Sequence, residues 1–141
     1  MKEREALIAK ISAQEPAASD QPFPVVSLED FFTGNDDLGS IGCNLAKHPG
    51  PQRFSAVLRS IRDRPEVQDV LVTIYENAEE EESMWPFSER VYVFTSATPQ
   101  QLGEWAAELR PSAVEEGFVG GAPKVAPELE PGMKVLSLWW D

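Results

Sequence analysis

The segment from Gly34 to His48, GNDDLGSIGCNLAKH, holds the side chains of this chain that most readily do chemistry. It contains the only cysteine, Cys43, the only histidine, His48, and two adjacent carboxylates, Asp36 and Asp37. A cysteine nucleophile needs a histidine as its base and a third polar group to orient the ring. In known sites of this type the partners come together from distant segments, whereas Cys43 and His48 are close in sequence. We therefore predict that the segment is a shaped loop without a catalytic set.

The same segment lacks the patterns of a metal or phosphate site. One cysteine and one histidine are too few for a structural zinc site. The calcium-loop pattern fails because Ala46 stands where the bidentate glutamate belongs. Gly34 and Gly39 have the outer spacing of a phosphate-binding loop, but no lysine follows and the residues between them are acidic. We predict no metal and no cofactor, and we expect Cys43 to be buried as a small apolar residue.

An alternative interpretation gives this segment a chemical role. In a homodimeric ferredoxin-like domain, Cys43, His48 and Asp37 would line a cleft that binds or converts a small molecule. Arg59 or Arg62, on the helix that follows, would then take an anionic group of the substrate. This alternative requires Cys43 and His48 to lie together in the cleft.

A second feature combines acids with large apolar side chains. Four consecutive glutamates at 79–82 are followed closely by Met84, Trp85 and Phe87. An aromatic anchor beside charges that steer a partner is typical of binding hot spots. The alternative is that the glutamates form a solvated hairpin tip and that Trp85 and Phe87 close the core. The predicted partner-binding residues are Asp36, Asp37, Glu79, Glu80, Glu81, Glu82, Trp85 and Phe87.

The net charge narrows the class of partner. The chain has 24 acidic and 12 basic residues, for a formal net charge of −12. This charge opposes binding to nucleic acid and to anionic membranes and favours a basic protein partner, although solubility alone also explains an acidic chain. We predict a non-enzymatic protein-binding module, monomeric or homodimeric. Its most specific form is a small inhibitor of the immunity type that masks a basic partner.

Cysteine content and the apolar runs predict the compartment. One cysteine allows no disulfide within the chain, and the first residues, MKEREALIAKISAQ, do not have the pattern of a secretion signal. No apolar run approaches the roughly 20 residues that span a bilayer. We therefore expect a cytoplasmic protein that does not associate with membranes.

The elements that must position these residues follow from apolar spacing. Residues 1–23 are predicted to form an N-terminal helix, over 2–14, and a proline-rich linker, and residues 24–141 a single α+β domain. Apolar residues at i, i+3, i+4 and i+7 predict helices, and alternation predicts strands. The elements predicted in the domain are a strand at 25–26 with a turn capped by Ser27, a helix at 51–64, strands at 69–76 and 90–96, a helix capped by Thr98, and a strand at 134–140.

The order of these elements, β-α-β-β-α-β, is that of ferredoxin-like sandwiches, with helices on one face of a mainly antiparallel sheet. Three of the strands are apolar on both faces, whereas a sheet with one face open to water alternates apolar and polar residues. We therefore expect the N-terminal helix and a long loop at 111–132 to cover part of the second face. A second copy of the chain is the alternative cover.

Overall fold

A computed structural model of the protein describes residues 2–14, 23–76, 83–123 and 125–141. The predicted linker at 15–24 lies almost entirely outside these residues. The elements, in chain order, are α1 (Lys2–Gln14), β1 (Val25–Ser27), α2 (Leu28–Phe32), α3 (Pro51–Arg62), β2 (Val67–Thr73), β3 (Arg90–Thr95), α4 (Pro99–Trp105), a 3-10 turn (Ala107–Leu109), β4 (Ala113–Glu116) and β5 (Lys134–Trp139). None of the helices in the described ranges is long and apolar enough to cross a membrane.

Local sequence signals set the starts of the helices. The Ser27 side chain accepts a hydrogen bond from the Asp30 N–H and caps α2. Thr98 and Gln101 form a capping box at the start of α4, in which each side chain bonds the backbone N–H of the other. Each cap satisfies amide donors that have no partner within the helix, which is why both predicted boundaries are confirmed.

The sheet confirms an α+β architecture with antiparallel pairing, but it does not confirm the ferredoxin-like order. The strands lie in the order β1-β2-β3-β5-β4, and every neighbouring pair is antiparallel. A ferredoxin-like sheet contains two split β-α-β units, in each of which two parallel strands flank a third. Only β3-α4-β4 has this form, with β5 between its strands. At the other end of the sheet, β1 pairs directly with β2 and is an edge strand.

The helices and one face of the sheet enclose the main core. Val70, Val72, Val91 and Val93 point into it from the two central strands, and Phe54 and other residues of α3 pack against them. Leu7 and Ile11 of α1 belong to this same core. The prediction that α1 covers the second face is therefore wrong, because its apolar stripe is already buried beside the other helices.

The second face of the sheet is covered by a later part of the chain. Its buried residues include Tyr92 and Phe94, and Phe118 packs edge-on against Tyr92 with 5.0 Å between ring centroids. The Val119 N–H donates to the Tyr92 hydroxyl at 2.8 Å, and burial raises the pKa of that hydroxyl. Phe118 and Ala126 belong to the predicted 111–132 loop, so cover by that loop is confirmed.

The same loop contains one element that was not predicted. Residues 113–116 form the edge strand β4, which pairs with β5. Its sequence, AVEE, has a single β-branched residue and two exposed glutamates, so it carries no strand signal. Farther along, the Gln68 carboxamide donates to the Glu128 carbonyl at 2.7 Å and accepts from the Glu130 N–H at 3.0 Å. These two bonds hold the second part of the loop against β2.

Candidate functional site

A buried asparagine organises the glycine-containing loop between α2 and α3. Asn35 is fully buried, and its amide group donates to the Phe31 carbonyl at 3.2 Å and to the Ser40 hydroxyl at 2.9 Å. Its side-chain oxygen accepts from the Asp37 N–H at 3.0 Å. Because all three bonds stay within residues 31–40, this part of the loop is an ordered turn built around one side chain.

Asp37 fastens this turn to a segment far away in sequence. One carboxylate oxygen accepts from the Gly39 N–H at 2.8 Å, and the other accepts from the Trp85 N–H at 3.0 Å. The Ser88 N–H also donates to the Ser40 carbonyl at 2.7 Å. Two of the predicted site residues, Asp37 and Trp85, are therefore neighbours in space, and the carboxylate of Asp37 is engaged by the backbone.

The second half of the loop is held by the histidine. His48 Nδ1 accepts from the Gly50 N–H at 2.8 Å, so Nε2 carries the proton and donates to the Ile41 carbonyl at 2.6 Å. Cys43 is exposed, and its thiol bonds the Asn44 side chain at 3.8 Å. The expectation of a buried Cys43 is wrong, because the turn at this point directs the side chain to solvent. Both ring nitrogens of His48 are bound to backbone, so His48 is not aligned as a base for Cys43.

The arginines proposed to hold an anionic substrate bind a carboxylate of the protein. Arg62 makes two bonds to Glu29, at 2.8 and 2.5 Å, and Arg59 adds a third at 3.1 Å. Hydrogen bonds from Arg62 lower the pKa of Glu29 to about 2. Arg53 is paired with Glu108 in the same way. These pairs join α3 to its neighbours and occupy the groups that would receive an anion.

An exposed surface lies where the turn around Asn35 contacts segment 83–88. We call Asp36, Leu38, Tyr75, Met84 and Phe87 the acidic–aromatic surface. Leu38, Tyr75 and Met84 are exposed to 56%, 50% and 45%. Leu38 and Met84 are the chain neighbours of the two residues that the Asp37–Trp85 bond connects.

Contacts of the aromatic residues hold the other side of this surface together. The rings of Tyr75 and Phe87 meet edge-on at 5.8 Å, and Phe23 lies at the same distance from Tyr75. The Tyr75 N–H donates to the Phe87 carbonyl, and the Phe87 N–H donates to the Glu76 carbonyl, each at 2.7 Å. The surface therefore rests on a hydrogen-bonded backbone.

The structure separates the remaining predicted site residues into two groups. Trp85 is only 4% exposed and belongs to the main core, which favours the interpretation that it closes the core. Glu79, Glu80, Glu81 and Glu82 lie outside the described residues. The described residues on either side of that segment are Glu76 and Ser83, which are the chain neighbours of Tyr75 and Met84.

Leu38, Tyr75 and Met84 belong to this surface but were not among the predicted partner-binding residues. Leu38 carried a signal, since it is one apolar residue between Asp37 and Gly39 in an otherwise polar turn. Tyr75 stands at the end of an apolar strand, where a buried position was equally consistent with the pattern. Within the described residues, no group of three or more histidine, cysteine, aspartate or glutamate side chains is arranged to hold a metal ion.

Residues 2–138 match the family described as the Uncharacterized protein YfbO family. The chain belongs to the YfbO family. It is 37% identical over 125 residues to the Escherichia coli (strain K12) protein named Uncharacterized protein YfbO, and the aligned region covers 86% of each chain. No solved structure matches the chain. Family membership thus extends over both α1 and the α+β domain.

Proposed function

We propose that the protein is a non-enzymatic protein-binding module and that the acidic–aromatic surface is where it binds. The observation that carries this proposal is the group of exposed side chains Leu38, Tyr75 and Met84 beside Asp36. Apolar side chains that stay exposed next to charges are typical of contact surfaces, because their burial against a partner stabilises the complex.

The net charge supports a basic partner. At −12 the chain attracts a positively charged surface and repels anionic ones. Many of its cations are already paired with its own acids, as in the Arg62–Glu29 and Arg90–Glu115 bridges. Asp36 is exposed, and the glutamates at 79–82 shortly precede Met84 in the sequence. Charge would speed the encounter, and the apolar side chains would hold the complex.

The narrower form of the proposal is a cytoplasmic inhibitor of the immunity type. A binding module that masks a basic active surface needs no catalytic group of its own. The engagement of His48 by Ile41 and Gly50 fits such a role, because it assigns the histidine to the structure of the loop.

The test is capture of partners from an extract of the parent cell by three immobilised proteins. They are the wild type, a surface variant (Leu38→Ser with Met84→Ser) and a control variant (Val125→Ser with Leu129→Ser). The control removes two apolar side chains of matching exposure, 56% and 46%, from a different loop. Mass spectrometry identifies the retained proteins at low salt and at about 500 mM salt, where charge attraction is strongly screened.

We expect the wild type and the control variant to retain the same basic protein at low salt. The surface variant should retain at least about tenfold less of it, because two contact side chains are lost. High salt should weaken the retention by the wild type. Equal capture by the surface variant would exclude this surface, and the absence of any basic protein from the wild-type sample would overturn the proposal.

A further inference from the structure

The two edges of the sheet differ in how their outward backbone groups are satisfied. At β1, the Gln14 carboxamide donates to the Val25 carbonyl at 2.8 Å and accepts from the Val25 N–H at 3.0 Å, which closes that edge. At the opposite edge, β4 pairs only with β5. In the described part of the chain, no hydrogen bond reaches the backbone groups on the outer side of β4. This edge is therefore open to a strand of another protein.

The register between β4 and β5 shows which backbone groups face outward. Glu115 lies opposite Ser137, and beyond the strand the Gly117 N–H donates to the Val135 carbonyl at 2.9 Å. Hydrogen-bonded pairs recur at every second residue of an antiparallel ladder, so Glu115 also directs its N–H and carbonyl towards β5. The residues on either side of it, at 114 and 116, direct theirs away from the sheet.

The chain that follows β4 leaves this edge uncovered. The Val119 N–H donates to the hydroxyl of Tyr92 on β3, and the Phe118 ring packs against the same tyrosine. Because β5 lies between β4 and β3, residues 117–119 cross the second face of the sheet inward, away from the outer side of β4.

The side chains at this edge select the charge of an added strand. Glu115 and Glu116 are 52% and 66% exposed. Arg90 binds one oxygen of Glu115 at 2.8 Å, and Lys134 lies 3.6 Å from one oxygen of Glu116, so each carboxylate can accept from a further cation. Opposite charges that face each other across two strands stabilise the pair, and like charges destabilise it. A second copy of this acidic chain is therefore disfavoured, and a basic strand is favoured.

We propose that the outer edge of β4 binds an extended segment of a basic protein, in which two basic residues precede an apolar one. In an antiparallel pair the first of these lies opposite Glu116, the second opposite Glu115 and the third opposite Val114. The apolar third residue suits Val114, which packs against the main core on the helix side of the sheet. This inference does not depend on the acidic–aromatic surface.

The test uses a synthetic peptide with blocked ends and the sequence TKKVT, and it measures hydrogen exchange of backbone amides by NMR. At saturating peptide, the Val114 and Glu116 amides should exchange at least about tenfold more slowly, because an amide in a backbone hydrogen bond exchanges only when that bond opens. The charge-reversed peptide TEEVT should bind at least about tenfold more weakly. Salt at about 500 mM should weaken binding of TKKVT.

Methylation of single peptide nitrogens provides a matched control for backbone pairing. In the proposed register, the first lysine and the valine of TKKVT direct their N–H groups to β4, whereas the second lysine directs its N–H away. Methylation of the first two nitrogens should abolish the slowed exchange. Methylation at the second lysine should leave it in place.

Two variants of the protein test the same contacts from the other side. Val114→Pro removes an outward donor without removing a bond to β5, which a proline at a sheet edge permits, and it should lose the protection at Glu116. Glu116→Lys should bind TEEVT better than TKKVT. Circular dichroism establishes that each variant is folded, and Glu116→Gln, with weakened binding of TKKVT, replaces Glu116→Lys if that variant does not fold.

Three results would overturn the proposal. The first is unchanged exchange of both amides at saturating TKKVT, or slowing only at amides of the acidic–aromatic surface. The second is equal binding of TKKVT and TEEVT, which would show that the edge does not select basic residues. The third is slowing that follows the concentration of the protein alone, which would identify a second copy as the occupant.

Discussion

Replacement of Asn35 by alanine tests whether one side chain organises the turn that supports the candidate surface. Asn35 is fully buried and makes three hydrogen bonds, to Phe31, Ser40 and the Asp37 N–H. Asn35→Ala removes all three and leaves their partners without a bond. At about 1 kcal/mol for each lost bond, the free energy of unfolding should fall by about 3 kcal/mol.

Urea denaturation followed by tryptophan fluorescence measures this change. The dependence of the free energy on urea should keep its slope while the midpoint falls, because the area exposed on unfolding hardly changes. Asn44→Ala is the matched control, since Asn44 lies exposed in the same loop, and it should shift the stability by no more than about 0.5 kcal/mol.

The isosteric variant Asn35→Asp separates the effect of lost hydrogen bonds on stability from the effect of lost side-chain volume. At neutral pH it buries a carboxylate opposite the Phe31 carbonyl and removes both donors, so its loss of stability should exceed that of Asn35→Ala. Acidification should reduce the loss, because a protonated acid regains one donor. A loss below about 1 kcal/mol for Asn35→Ala would refute the reasoning, since a single unsatisfied buried group already costs that much.

Two further predictions concern the elements around the loop. Bonds from Arg62 hold the pKa of Glu29 near 2, below its ordinary 4.5. The stabilisation from the Glu29–Arg62 pair is therefore complete above pH 4.5 and is lost as the pH falls through 2. Because Glu29 is half-exposed, Glu29→Gln should destabilise the protein at pH 7 by only about 1 kcal/mol. In urea titrations it should match the wild type near pH 2, and a pH-independent difference would contradict the assignment. Gly42→Ala should cost more than about 2 kcal/mol, because its backbone has a φ of +64° and the new Cβ would lie 2.7 Å from the Phe54 ring. The control Gly132→Ala has a φ of +83° but nothing within 4 Å, so equal melting temperatures for the two variants would show that the ring contact is unimportant.

Much of the fold is readable in the sequence because burial repeats with a fixed period. Alternation correctly placed Val70 and Val72 on one face of the sheet and Leu71 on the other, and caps and prolines located the helices. Pairing order depends instead on contacts between distant segments. Nothing in the local pattern of β1 distinguishes an edge position beside β2 from a central one, so the ferredoxin-like order was an extrapolation from element order alone.

The candidate site was also predictable only in part, because the local pattern does not show which side chains of a segment face outward. Composition identified the turn around Asp37 and the segment around Trp85, and the structure brings them together through a backbone bond. Which of these side chains face outward was not predictable. A tryptophan beside acids suits either a core or a contact surface, and a buried asparagine such as Asn35 looks like any other polar residue of a turn.

The position of β5 between β3 and β4 also affects how the protein folds during synthesis. β4 is made before β5 but has no neighbour in the sheet except β5. Until Lys134–Trp139 leaves the ribosome, β3 presents an unpaired edge and β4 has no strand to join. We therefore expect that β1, β2 and β3 could pair before β5 is made only as a sheet with an open side, the kind of species that is prone to misassembly. A ribosome stalled before residue 134 should carry a protease-sensitive β4.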